Sequence, residues 1–419
     1  MAGFWNIPII AYMTASNSLT DKNIYKTLSR ISMRSTNSFA EATAALLNHY
    51  KWLKVALVTN TGSVAYERVT SFEEVFAIRG ISVVKRIMFD ENADSAAMRS
   101  TGLIHELRNN ARIIICVFSS TRQQSREFMS ATSSERLQAK EFVFILPWLQ
   151  DGSRDASPWV GPDGEMQQKI KDQYANAIII DDVNGFDNTV VQPFLERIEL
   201  SGLKQEDVDI VTDANLFEGN IYAYLYLFDA LKLYVLAAQR TYNSTGDPMS
   251  IRDGRLENYK TQKKFNAMNL IPEIQQSNIS GMLGPSGVAS GKVTMDDRAD
   301  RAPLYRAFFV SPLRDQALPM VNMEPTFVNG CDGLINRSGC YEIVITDLMT
   351  GFWPSADGSM PLDDPVCGFR GEKCDYTLLI ICGALVVFVI CCASAIFGIN
   401  RYLLVSVQHL TIAARTYLG

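Results

Sequence analysis

Histidine is almost missing from this chain of 419 residues: His49, His105 and His409 are all it has. Three scattered imidazoles exclude a histidine-rich metal centre. His105-Glu106 has no second histidine behind it to complete a zinc-protease helix. A basic surplus is missing too. The 39 Lys and Arg are outnumbered by 45 Asp and Glu, for a net charge of −6, which argues against a nucleic-acid partner. No G-x-S-x-G elbow occurs, and no cysteine has a histidine close to it in sequence, so nucleophilic catalysis has no local motif. The glycine-rich stretch Gly281–Lys292, GMLGPSGVASGK, is not a phosphate loop. Gly287 stands one position too close to Gly291-Lys292, and Val293 replaces the hydroxyl that would ligate magnesium. The acid pairs Asp181-Asp182, Asp296-Asp297 and Asp363-Asp364 read as solvated turn residues, since neighbours on a strand point to opposite faces. Neither a metal nor a cofactor is expected, and nothing supports catalysis within these residues.

What is present is a core. Hydrophobic residues make up 47% and charged residues 20%, the balance of a chain that folds. From Ser38 onward, helix-like and strand-like segments alternate. The pattern predicts an amphipathic helix over 38–52, strands at 54–58, 81–88, 112–118 and 177–181, an apolar run at 142–149, and helices at 66–79, 93–109, 122–132 and 191–200. Alternation on this scale predicts βαβ units around a parallel sheet, and the unbroken apolar strands predict helices on both its faces. Residues 148–172 read as a loop and 241–264 as a surface loop. Residues 220–239 read as a helix buried in a large domain, and Trp52, Trp148 and the tyrosines of 222–234 as core.

One run lacks charge altogether. Thr377–Ile399, TLLIICGALVVFVICCASAIFGI, has 23 residues between Asp375 and Arg401 with none charged. At 1.5 Å per residue it reaches about 34 Å, enough to cross a hydrocarbon core of about 30 Å. Arg370 and Lys373 before it and Arg401 and Arg415 after it leave the positive-inside rule tied. Two other features orient the chain. The N-x-S/T sequons at Asn243, Asn278 and Asn336 all precede the run. Cys382, Cys391 and Cys392 lie inside it and Cys116 reads as a buried free thiol, which leaves Cys331, Cys340, Cys367 and Cys374. Their spacings do not fit zinc knuckles. Pairs 331–340 and 367–374 are the favoured disulfides among three possible pairings, and they require an oxidising compartment. The bulk of the chain is therefore expected outside the cell.

Four segments carry a resemblance. They are Trp5–Asp21, WNIPIIAYMTASNSLTD; Asn37–Val58, a helix entering a tryptophan turn and a strand; Gly284–Tyr305, GPSGVASGKVTMDDRADRAPLY; and Pro365–Cys374, PVCGFRGEKC. In this order the sequence resembles the extracellular ligand-binding region of receptor-type guanylate cyclases, the natriuretic-peptide-receptor-like family, with nematode chemosensory members most similar. The resemblance implies an α/β, type I periplasmic-binding-protein-like ectodomain of two Rossmann-like lobes, followed by a single transmembrane helix. Residues 1–345 would form the ligand-binding region, with lobe one at about 1–50 and 214–284 and lobe two at about 51–213 and 285–345. A juxtamembrane stalk would take 346–376, the span 377–399 and a short cytoplasmic tail 400–419. An extracellular ligand, peptide or small molecule, and a homodimer in the cell membrane are implied. The turn after the lobe-one strand would bring Thr14, Ala15 and Ser16 to the ligand cleft; the plainer reading of these three is a turn or helix cap.

Both ends depart from the family pattern. Met1–Ser18 reads as no signal peptide, lacking a basic start and with its apolar run broken by Asn6 and Pro8, and lobe one is expected to be incomplete, with one strand, Ile7–Tyr12, for several helices to pack on. The kinase-like and cyclase domains that make cyclic GMP have no counterpart in these residues, so the sequence reads as a fragment of such a receptor. A clearance or decoy receptor and a glutamate-receptor-like protein are the alternatives, the latter needing further spans.

Overall fold

The computed structural model describes residues 9–182, 226–235, 300–353 and 358–417, less short stretches within them, chiefly 149–157, 160–165, 312–316 and 328–340. The chain divides into two units, Met1–Asp364 and Pro365–Gly419.

The first unit opens on β1 (Ile9–Ala11), a 3₁₀ turn (Asn17–Thr20) and β2 (Leu28–Arg30), which pairs with β1 in parallel. The strand expected at 7–12 is therefore not alone. Leu28–Arg30, LSR, is short and carries two polar residues, so no apolar run marks it as a strand. Helix α1 (Thr36–His49) follows, capped by Ser35, whose Oγ accepts from Ser38 N at 3.2 Å. It ends at Tyr50, and Lys51 takes a left-handed φ of 58° to turn the chain into the next strand.

From there the elements run β3 (Lys54–Asn60), α2 (Ser63–Ile78), β4 (Ser82–Phe89), α3 (Ser95–Ser100) and α4 (Leu103–Asn110). Next come β5 (Ile113–Cys116), α5 (Thr121–Ser134), β6 (Val143–Pro147), α6 (Gln168–Gln173) and β7 (Ile178–Asp182). The single helix expected at 93–109 is two, because Gly102 adopts φ 70° and breaks the ladder between α3 and α4. Part of the expected 148–172 loop is α6.

Helix α7 covers residues 226–235. It buries Tyr226, Asp229, Ala230 and Leu233 and leaves Phe228, Leu231 and Val235 exposed. It is thus one-sided, not the fully buried helix its composition suggested. Tyr234 of α7 is likewise 38% exposed, whereas Trp52 and Trp148 are core.

The chain returns as β8 (Tyr305–Val310), β9 (Ala317–Phe327) and β10 (Tyr341–Asp347). These three strands complete an eight-stranded sheet of order β10-β9-β8-β7-β6-β5-β3-β4. The five strands from β4 to β7 pair in parallel, as the helix–strand alternation predicts. The last three are antiparallel, an addition that the alternation of helices and strands did not announce. Alternate residues of the strands feed two cores. Val55, Leu57, Ile115 and Ile180 pack with α1 and α2 on one face, whereas Ala56, Val58, Ile114 and Cys116 pack with α3, α4 and α5 on the other. Phe39 of α1 stacks on Tyr305 of β8 at 4.5 Å, so α1 belongs to the large sheet's core.

The second unit is a Cys367–Cys374 disulfide loop and α8 (Thr377–Tyr417), whose first turn is capped by Asp375 through Thr377 N at 2.9 Å. Both that disulfide and the apolar helix were expected. The helix, however, does not stop at Ile399.

Candidate ligand cleft and membrane helix

The parallel strands lie in the order β4-β3-β5-β6-β7, so the chain direction switches between β3 and β5. Helix α2 leaves β3 toward one face, and α5 leaves β5 toward the other. A crevice opens at such a point, outside the carboxyl ends of the strands, and ligands of open α/β sheets bind there.

A closed ring of polar groups lines this end. Asn60, the last residue of β3, donates to Ser119 Oγ at 2.9 Å and accepts from Ser119 N at 2.8 Å. Gln124 Oε1 accepts from Ser120 N at 3.0 Å, and its Nε2 donates to Glu91 O at 3.0 Å. Glu91 N closes the ring on Thr61 Oγ1 at 3.0 Å. Beneath it, Arg68 Nη1 donates to the carbonyls of Phe118 and Ser119, both at 2.7 Å. The loops after β3, β4 and β5 are thereby tied to one another by neutral amides and hydroxyls. Gly62, which opens α2 at φ 112°, leaves room for the Glu91 carboxylate: a Cβ there would meet Glu91 Oε2 at 2.7 Å.

The segment from β1 to β2 lies against the same end. Ser16 Oγ donates to Glu67 Oε1 at 3.3 Å, and Asn17 Nδ2 donates to Ser71 Oγ at 2.5 Å, both acceptors on α2. Arg30 grips Asp300 with two bonds, Nε to Oδ1 at 2.9 Å and Nη2 to Oδ2 at 2.6 Å, and spends Nη1 on Ser16 O at 3.0 Å. Beside it, Arg301 is buried with Asp182 and Asp229 and lies over the Tyr226 ring at 5.8 Å. Burial holds the Arg301 guanidinium below its ordinary pKa, while the charges of Tyr226, Asp229 and Asp182 act the other way. Asp181 and Asp182 are accordingly not solvated turn residues. They end a central strand at 1% and 2% exposure, and Asp182 accepts from Tyr226 OH at 3.5 Å.

The opposite end of β3 is built otherwise. Trp52, 1% exposed, donates through Nε1 to Pro361 O at 2.8 Å, and Trp353 meets it edge-on at 5.6 Å. Asp363 Oδ2 accepts from Leu53 N at 2.8 Å and Lys54 N at 3.0 Å, and Lys54 Nζ meets Asp364 at 2.7 Å. The pair Asp363-Asp364 therefore serves as a strap on the foot of the strand. Alongside, Asp347 accepts from Tyr50 OH at 3.2 Å and faces His49 Nε2 at 3.1 Å. Burial, helped by this carboxylate, pushes the Tyr50 phenol up.

Of the residues proposed for ligand contact, Thr14 has a buried Oγ1 without a partner among the described residues. Ser16 caps the 3₁₀ turn, accepting from Ser18 N at 3.3 Å, as the plainer reading had it. Ala15 lies outside the described residues, as do Cys331, Cys340, Asn243, Asn278, Asn336 and Asp296-Asp297. Cys116 is free and buried, and burial pushes its thiol up. Asn60, Ser119 and Gln124 were missed. The signal available was a polar residue at the end of each of two apolar strands, and it gains meaning only once strand order is known. No cluster of metal ligands occurs among the described residues.

Residues 1–312 match the family model described as receptor family ligand binding region. The chain belongs to that family. It is 58% identical over 399 residues to receptor-type guanylate cyclase gcy-8 of Caenorhabditis elegans, covering 95% of this chain and 33% of that protein. Receptor-type guanylate cyclase gcy-23 of the same organism is 50% identical over 385 residues, 92% of this chain and 34% of that protein. Receptor-type guanylate cyclase gcy-19 of Caenorhabditis briggsae is 22% identical over 421 residues, again covering 92% of this chain. The chain thus spans about a third of the length of these relatives. Among the described residues the family match is followed by one helix, Thr377–Ile412, long and apolar enough to cross a membrane. Such a chain resides in the cell membrane with its ligand-binding region outside.

Proposed function

We propose that these residues form the sensing and anchoring part of a receptor-type guanylate cyclase, and that cyclic GMP synthesis belongs to a portion of the protein outside residues 1–419. The carrying observation is the receptor-family match over residues 1–312 with an apolar helix, Thr377–Ile412, C-terminal to it. Supporting it, the strand-end crevice offers hydroxyls and amides, with its nearest guanidiniums, Arg30 and Arg68, already spent on Asp300 and on backbone carbonyls. Ligand would enter there, with the unspent Thr14 hydroxyl and its neighbours Ala15 and Ser16 contributing from the first lobe. We draw the lobe boundary ahead of α1, since that helix packs on the large sheet. The chain itself carries out no catalysis, and two copies assemble in the membrane.

Membranes from cells expressing the full-length gene product are expected to convert GTP to cyclic GMP, and membranes holding only residues 1–419 are not. Cyclic GMP made by the short chain would overturn the division of labour. Orientation is read separately: enzymatic removal of N-glycans should shift the mobility of the chain, and replacing Asn243, Asn278 and Asn336 with Gln should abolish that shift.

A further inference from the structure

The end of the large sheet that carries the strap exposes four large apolar side chains. Leu53 precedes β3, Ile78 ends α2, Leu348 follows β10 and Leu362 lies in the strap, and they are between 45% and 60% exposed. Hydrogen bonds gather them at one end. Ser82 N donates to Leu53 O at 2.7 Å, which joins the start of β4, four residues past Ile78, to the foot of β3. Asp363, next to Leu362, takes Leu53 N. Asp347, next to Leu348, accepts from Tyr50, whose ring lies 4.9 Å from that of Trp52.

The acids nearest these residues are already engaged. Asp363 holds two N–H groups, Asp364 meets Lys54, and Asp347 meets His49 and Tyr50. Lys51, exposed and turned outward at φ 58°, is in no ion pair among the described residues. Tyr50 and Trp353, both partly exposed, stand edge to face at 5.5 Å. Exposed aliphatic side chains, aromatic rings with one edge wet and a free lysine are the set that settles at the headgroup boundary of a bilayer.

Exposure alone does not mark such a surface, since Tyr66 at the cleft end is 63% exposed. The tether distinguishes the strapped end. Twelve residues separate Asp364 from Thr377, and the Cys367–Cys374 bridge, with 4.7 Å between its Cα atoms, takes most of them out of its reach. At about 3.8 Å per residue step the tether is at most about 27 Å long. It starts at the foot of β3 and not at the mouth.

We propose that Leu53, Ile78, Leu348 and Leu362, with Lys51, form a lipid-contact surface that docks on the outer leaflet of the membrane crossed by α8. The aliphatic side chains enter the headgroup boundary, and the Lys51 ammonium meets lipid phosphates. This inference rests on the membrane-anchoring reading and goes beyond it, giving the ligand-binding region its own hold on the bilayer.

The test is a fluorescence depth measurement on the full chain in phosphatidylcholine nanodiscs. A fluorescent amino acid is placed at 53, 78, 348, 362 or, as the control, 66, one position at a time. Lipids with a nitroxide on the headgroup should quench the four labels of the strapped end several-fold more than the label at 66. Dissolved iodide should reverse that order. Raised salt should change neither result, because apolar burial and not charge supplies most of the hold. Labels at the strapped end as open to iodide as the one at 66 would overturn the surface. So would labels shielded from iodide yet untouched by nitroxide lipid, since a protein would then cover them. Leu53→Ser with Leu362→Ser, both at exposed positions, should raise iodide quenching at 348, and no change there would also sink the proposal. A chain that fails to enter nanodiscs sinks the membrane-anchoring reading along with it.

Discussion

Strand β3 is only seven residues long, yet its two ends are held by different chemistry. At the carboxyl end, Asn60 joins a ring of neutral side chains whose bonds run 2.8 to 3.2 Å, each replaceable by a ligand group or a water. At the amino end, Trp52 is enclosed by Tyr50, Trp353 and the Pro361 carbonyl, and Asp363 takes two backbone N–H groups at once. Neutral hydrogen bonds exchange with water at little net cost, about 1 kcal/mol each, whereas a buried indole cannot leave its cage without opening a cavity. One end is built to be remade and the other to stay closed.

The largest effect that separates the two ends is expected at the foot. Trp52→Ala should lower stability by about 3–5 kcal/mol, since it empties a fully buried site and strands the Pro361 carbonyl. Chemical unfolding of the full chain in detergent measures it, and a loss under about 1 kcal/mol would mean the aromatic cage is not closed. Next comes Arg30→Ala near the mouth, which leaves Asp300 buried without its bidentate partner and should cost about 3 kcal/mol. The double change Arg30→Met with Asp300→Leu should recover most of that loss. Failure to recover would show that Arg30 acts through Ser16 O instead.

A smaller change is expected for Asp363→Asn, about 1 kcal/mol, because the amide keeps one acceptor oxygen for Leu53 N and Lys54 N but loses the charge. Its readout is faster limited proteolysis near 354–364 at unchanged cleavage elsewhere. The smallest is Thr14→Val at the mouth. Removing an unpartnered hydroxyl at constant shape should leave stability within about 0.5 kcal/mol of the parent or raise it. A clear loss there would mean the hydroxyl is already engaged in the free protein, and would remove it as a ligand contact.

Much of the large sheet was legible because its strands are uniform. Ile113–Cys116 and Ile178–Ile180 are apolar throughout, and burial on both faces leaves them no polar alternation to misread. The α8 segment was legible for the same reason, its composition deciding its environment. Shorter or mixed pieces were not. Leu28–Arg30 is a strand only because Ile9–Ala11 lies beside it, and β9 carries Pro319 and Pro325 between two partners. Pro319 is accommodated by the register shift at Ala307/Phe308, a device no local pattern reveals. The cleft was the least legible part. Asn60, Ser119 and Gln124 are 59 and 5 residues apart along the chain, and strand order alone makes them neighbours. Asp181-Asp182 misled for a related reason: two adjacent acids suggest water, whereas both are buried and Asp182 meets the Tyr226 hydroxyl and the charge of buried Arg301.

One strand joins the ring to the strap, and that has a mechanical meaning. Strand β3 is flanked by β4 and β5, and every residue from Val55 to Val58 has a register partner on both sides. At about 3.3 Å per residue it is a strut of roughly 23 Å that can tilt or slide but cannot lengthen. Lys54, at its base, grips Asp364, the last residue before the disulfide loop and the helix. Whatever pulls on Asn60 therefore has a stiff linkage to the final residue of the folded region, a push-rod made of main chain and not of side-chain contacts.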